Sequence, residues 1–248
     1  MKTSLLSVTF RSMTIAQVAE TAARGGVDAI EWGSDVHVKA GDAAAIDAAV
    51  AACKQYGLAV SAYGAYYNCD GTEDFAPYVE TAKKLGTNII RVWAKNGIES
   101  SADLPEDERA QVVADLKNAV ALAAKEGIMV ATEYHPNTLT DTLESTLQLL
   151  SEVPGLYTYY QPVWRKSVEE NLNHLTALGK KVKNLHTFYT VEGKRHALAD
   201  GENDLKTLFA RAMETADAGY VGIEFVRSGT AEQFYADATT LKKILAEI

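Results

Sequence analysis

Two short apolar runs of this chain each end in a carboxylate: Met129-Val-Ala-Thr-Glu133 and Val221-Gly-Ile-Glu224. Both runs read as strands built for burial, where an ionised glutamate is costly unless it is paired, hydrogen-bonded or bound to a cation. His186 and Gln161 are placed similarly on two further strand-like runs. Two carboxylates, an imidazole and an amide oxygen form a mostly oxygen donor set. Such a set suits Mn²⁺, Mg²⁺ or Co²⁺ and tolerates Zn²⁺, and its lack of cysteine argues against a structural zinc site. A cation held by Glu133, Gln161, His186 and Glu224 would polarise a substrate carbonyl and stabilise the charge formed when a neighbouring C–H proton is removed. The two glutamates are the candidate catalytic pair, one removing the proton and the other returning it.

The elements that must position these groups follow one repeating unit: a β-branched or aromatic run, a polar loop, an amphipathic helix and a glycine. Capping-box patterns stand at Thr14-x-x-Gln17, Ser167-x-x-Glu170 and Thr230-x-x-Gln233, and glycines stand where helices should stop. Eight strands alternate with eight helices, from Leu5–Thr9 to Gly222–Phe225. Alternation over this length predicts an α/β protein, a closed (β/α)₈ barrel occupying residues 1–248 as one domain. No glycine-rich phosphate loop follows the first strand, which disfavours a dinucleotide-binding fold.

Strand alternation then sorts the side chains. With Glu133, His186 and Glu224 inward, the same parity places Glu31, Ser61, Tyr63, Arg91, Trp93, Tyr159 and Gln161 inside. The polar set gathers toward the C-terminal strand ends, where barrel enzymes hold their active sites. Tyr63, Trp93 and Trp164 could cover the apolar face of a sugar, and His37, His135, Arg195 and Arg227 could bind its hydroxyls or an anionic group. Glu31 and Arg91 are expected as a buried structural ion pair, and His174 as a surface residue on its helix.

Composition narrows the function classes. With 47% hydrophobic and 23% charged residues the chain can bury a large core. A net charge of −9 disfavours a nucleic-acid partner. No apolar run reaches membrane-spanning length, and the N-terminal stretch reads as a first strand in place of a signal peptide. Two cysteines in no ligand-like spacing point to a reducing, cytoplasmic setting.

The segments Glu31-Trp-Gly-Ser-Asp-Val-His37, Glu133-Tyr-His-Pro-Asn-Thr, Asn184-Leu-His186, Leu198-Ala-Asp-Gly-Glu-Asn-Asp204 and Gly222-Ile-Glu224-Phe occur in an order that resembles the xylose isomerase-like TIM barrels. This group joins sugar phosphate isomerases and epimerases with apurinic-site endonucleases, and the resemblance covers nearly the whole chain. The ketose 3-epimerase branch takes its metal ligands from strands five to eight as Glu, Asp, His and Glu, with the two glutamates as acid and base. Glu133, His186 and Glu224 match that pattern. Gln161 stands where the branch has Asp, and Trp164 where it has a substrate-binding His. The resemblance implies a metal-dependent isomerase or epimerase of a sugar or sugar-derived keto compound, with a small carbohydrate as its partner and homo-oligomers common among relatives. A lyase or dehydratase shares the first chemical step and is the alternative; a metal-free isomerase and a non-catalytic sugar-binding barrel are further readings. Five histidines and the acidic balance argue against the endonuclease branch.

Overall fold

The computed structural model describes residues 1–248. Eight parallel strands close into a barrel: β1 (Lys2–Leu6), β2 (Ala29–Gly33), β3 (Ala59–Gly64), β4 (Ile89–Val92), β5 (Met129–Glu133), β6 (Tyr157–Tyr160), β7 (Val182–Thr187) and β10 (Tyr220–Ile223), with β8 (Tyr189–Val191) and β9 (Lys194–His196) forming a separate two-stranded sheet after β7. Eight α-helices follow them in turn: α1 (Ile15–Gly25), α2 (Ala43–Tyr56), α3 (Ala76–Leu85), α4 (Glu106–Ala124), α5 (Leu143–Glu152), α6 (Val168–Leu178), α7 (Glu202–Thr215) and α8 (Ala231–Ala246). Each strand pairs with its sequence neighbour around the ring, and β1 closes it against β10. None of the helices is long and apolar enough to cross a membrane.

The helix ends are where local chemistry puts them. Thr14 and Ser167 form complete capping boxes with Gln17 and Glu170. Thr230 caps α8 through Gln233 N–H, but the Gln233 side chain turns instead to Asp237 and Arg227, so the third box is half formed. The main core lies between strands and helices, with Ile30, Trp32, Ile90, Val92, Val130 and Val221 on the outward strand faces. A small apolar layer of Ala62, Ile89, Ala131 and Tyr159 fills the lower barrel interior. Polar side chains occupy the barrel above it.

Two strands depart from simple alternation: β7, whose register against β6 slips at Lys183, and β3. Between β2 and β3 the register slips, so that Ile30 faces Val60 but Glu31 faces Ala62, leaving Ser61 as an extra residue. Beyond this irregularity the parity of β3 is reversed. Tyr63, expected inside, faces the helices: its hydroxyl donates to Val38 O at 2.8 Å and its ring packs on Tyr78. Gly64 takes the inward place. A Cβ there would lie 2.9 Å from an Arg91 guanidinium nitrogen and 3.0 Å from Glu31 Oε1, so the lack of a side chain makes room for both.

Candidate active site

β2, β4, β5 and β7 each send one charged or titratable side chain into the barrel, and the four close a ring. Glu31 Oε2 lies 3.2 Å from His186 Nε2, and His186 Nδ1 lies 3.0 Å from Glu133 Oε1. Arg91 Nε then sits 3.4 Å from both Glu133 Oε2 and Glu31 Oε1. All four are buried. The Glu31–Arg91 pair expected from the sequence is present, but it is continuous with the catalytic candidates and not a separate structural bridge. Tyr159 packs edge-on beneath His186 at 5.1 Å, and its hydroxyl accepts from Asn184 Nδ2.

Glu224 joins the ring from the residue after β10, with Oε2 4.0 Å from His186 Nδ1. Its N–H donates to Thr187 O, and the next N–H, of Phe225, donates to Thr9 Oγ1. Phe225 adopts φ +55°, a left-handed conformation that costs an aromatic residue on the order of 1–3 kcal/mol. This turn points Glu224 into the mouth of the barrel, while the Phe225 ring lies at the cavity edge.

The donor set fits a divalent cation. Ligand atoms of Glu133, His186 and Glu224 all lie within 4.8 Å of one another. That spacing is within reach of a single cation with bonds of about 2.1 Å. Gln161 Oε1 is buried without a hydrogen-bond partner, and Glu133 Oε2 has the Arg91 ion contact at 3.4 Å in place of a hydrogen bond; an orphaned acceptor such as Gln161 Oε1 costs about 1–3 kcal/mol. A cation would offset that cost.

The charges within the ring set the proton affinities. Burial works against the Glu133 carboxylate, but His186 and Arg91 outweigh it and hold Glu133 below the usual carboxylate range. For Glu224, burial and the neighbouring Glu133 charge push the carboxyl up to about 7. Burial disfavours the His186 imidazolium, yet Glu133 and Glu31 raise its pKa to about 10. To bind a cation through Nδ1, His186 must therefore release a proton. Mn²⁺ affinity is expected to rise steeply with pH across the neutral range, by up to about tenfold per unit. Calorimetry in buffers of different ionisation enthalpy should show at least one proton released per ion; pH-independent binding would contradict this charge arrangement.

A cavity of about 540 Å³ opens above the ring, lined by His135, Gln161, Trp164, Arg195 and Glu224 among others. Trp93, expected as a substrate-facing residue, does not line the cavity but packs on His135, edge-on at 5.0 Å, with the Arg91 guanidinium 4.9 Å from its ring. Trp164 is anchored by its indole N–H to Phe188 O at 2.7 Å. Arg195 lies across the Phe188 and Phe225 rings and donates to Glu224 O at 3.3 Å. Three other sequence candidates lie elsewhere. Tyr63 faces the helices, and His37 is held by Met13 O at 3.0 Å against the outward-facing Trp32. Arg227 is exposed on the side of Asp200 and Gln233. His174, expected at the surface, is buried against Tyr134 and Tyr160.

The structure also adds a cavity wall absent from the sequence reading, the hairpin β8 (Tyr189–Val191) and β9 (Lys194–His196). Its two-residue turn is Glu192-Gly193, with φ +50° and +74°. A β-branched run followed by a glycine was its signal, since two positive φ angles are what a tight hairpin requires. Arg165 and Phe225 complete the rim. A larger recess of about 750 Å³ opens at the N-terminal end of the barrel, away from the carboxylates and at the face that serves stability in this architecture.

Comparison with known proteins bears on the fold and the family. The chain is 32% identical over 164 residues to a 3-dehydroshikimate dehydratase of Bacillus anthracis, a stretch covering 62% of this chain and 58% of that protein's length. In three dimensions it is similar to the probable 3-DHS dehydratase involved in petrobactin synthesis from Bacillus anthracis, with TM-score 0.79, 22% identity and coverage of 98% and 99% of the two chains. It is also similar to the D-allulose 3-epimerase of Methylomonas sp., with TM-score 0.74, 15% identity and coverage of 98% and 97%. At these identities the two structures speak for the fold alone. The model of the xylose isomerase-like TIM barrel matches residues 19–245; with its closed barrel, the chain belongs to that family.

Proposed function

We propose that this protein is a metal-dependent enzyme that removes a proton next to the carbonyl of a small polyhydroxylated substrate, with Glu224 as the base, and then expels water from the adjacent carbon. The observation that carries this reading is the unequal footing of the two glutamates. Both Glu133 oxygens are engaged, one by His186 and one by Arg91. Glu224 has only His186 at 4.0 Å and lines the cavity. One glutamate is thus fixed in the barrel wall and the other is free to exchange a proton with a bound molecule.

A divalent cation held by Glu133, Gln161, His186 and Glu224 would polarise the carbonyl and stabilise the negative charge that develops on its oxygen. Glu224, which lines the cavity, would take the proton on its carboxylate. As the C–H bond breaks, its electron pair moves toward the carbonyl. That pair returns to form a carbon–carbon double bond, the C–O bond of the β-hydroxyl breaks, and the carboxyl proton of Glu224 leaves with the hydroxide as water. The carboxylate is regenerated. His135, backed by Trp93, and Trp164 would orient the substrate and exclude bulk water, and Arg195 would face its polar groups.

Elimination is placed first because the sequence relative is named as a dehydratase and Gln161 and Trp164 depart from the epimerase pattern. Epimerisation or isomerisation of a keto sugar is the second reading, supported by the convergence of Glu133 and Glu224 on one centre, which would let a proton leave from one face and return on another. The test is incubation of the Mn²⁺-loaded protein in D₂O with 3-dehydroshikimate and a panel of keto sugars, followed by mass spectrometry and NMR. A product lighter by one water supports elimination. Deuterium incorporated without loss of water supports epimerisation, and a carbonyl compound that binds but exchanges no proton would sink both.

A further inference from the structure

We propose that Glu31 is a positioning residue for the metal centre, acting through His186: by accepting the Nε2–H it fixes the tautomer whose Nδ1 lone pair faces Glu133 and Glu224. The inference rests on the cation reading given above. Glu31 and His186 are 155 positions apart and stand on strands that do not pair, since β1 and β10 lie between β2 and β7 in the ring. Their contact therefore crosses the barrel interior, and both side chains are almost fully buried. A neutral imidazole carries one N–H, and the hydrogen bond at one nitrogen decides which nitrogen is left to bind a metal. Nε2 meets a carboxylate at 3.2 Å on the side away from Glu224, while Nδ1 lies within 4.0 Å of both glutamates of the proposed centre.

Glu31 is itself held for this task. Its second oxygen lies 3.4 Å from Arg91 Nε, which reaches Glu133 at the same distance. The space these groups occupy exists because the slip at Ser61 brings Gly64 inward. A bridge serving only to neutralise Arg91 would need no contact with His186.

The test compares Mn²⁺ binding by equilibrium dialysis in the wild type, Glu31→Gln, which keeps an acceptor oxygen, and Glu31→Leu, which removes it. Loss of such a partner typically weakens metal binding about 10–100-fold, and that loss is expected for Glu31→Leu, with Glu31→Gln close to the wild type. A second measurement needs no variant: ¹⁵N NMR of the Zn²⁺-loaded wild type should show His186 protonated at Nε2 and metal-bound at Nδ1. The inference is overturned if Nε2 is the metal-bound nitrogen, or if a folded Glu31→Leu binds Mn²⁺ as the wild type does. A wild type that takes up neither Mn²⁺ nor Zn²⁺ would remove the cation reading and this inference together, whereas equal binding by wild type and variant removes the inference alone.

Discussion

Replacing Glu224 with glutamine is expected to lower turnover about 10³-fold, within the range that positioned acid–base groups contribute, while leaving the barrel folded. The amide fills the same volume at the exit of β10 and leaves the Thr187 and Thr9 backbone contacts intact, so circular dichroism should not change. The stability profile carries an independent sign. In the metal-free protein Glu224 binds its proton more tightly folded than unfolded, because burial and the Glu133 charge raise its pKa to about 7. Its contribution is therefore fully present at acid pH and is lost as pH rises through about 7. Glu224→Gln should lack that component and be at least as stable as the wild type above neutrality. Turnover within a few-fold of the wild type would remove Glu224 from the base role.

Arg91→Met is expected to have the largest effect on stability. Arg91 is 2% exposed and supplies the cationic partner of both Glu31 and Glu133. Removing it leaves two buried carboxylates with His186 as their remaining cationic partner. Breaking a buried pair from one side costs about 3–5 kcal/mol, which for a chain of this size lowers the melting temperature by roughly 10 °C. Added Mn²⁺ should recover part of the loss, since a bound cation restores positive charge and stabilises the folded state by mass action. A melting temperature unchanged in the metal-free variant would mean that the ring carries little of the barrel's electrostatic balance.

The two predictions draw on different layers of information. Glu133, His186 and Glu224 were legible along the chain, because a carboxylate or imidazole at the end of an apolar run conflicts with its surroundings and so announces a partner. The repeat of strand and helix announced the barrel for the same local reason: hydrophobic period and capping chemistry are short-range. The hairpin after β7 was legible in principle from Val191, Glu192 and Gly193, but a three-residue strand carries too little pattern to stand out.

Other features lay beyond any local reading. The reversal of β3 depends on a register slip against β2, a property of two strands, and it exchanges Tyr63 for Gly64 at the heart of the site. Arg227 and His37 follow strands as substrate-binding groups do, yet each finds nearer partners on neighbouring elements. Glu31 was visible as a buried charge, but its contact with His186 spans the barrel and exists only once the ring closes. The sequence by itself determined the architecture and the types of chemistry available, since both follow from residue character over a few positions. Only the tertiary structure decided which carboxylate is held in the wall, which lines the cavity and which nitrogen of His186 faces them, because those depend on distances between residues that the chain keeps far apart.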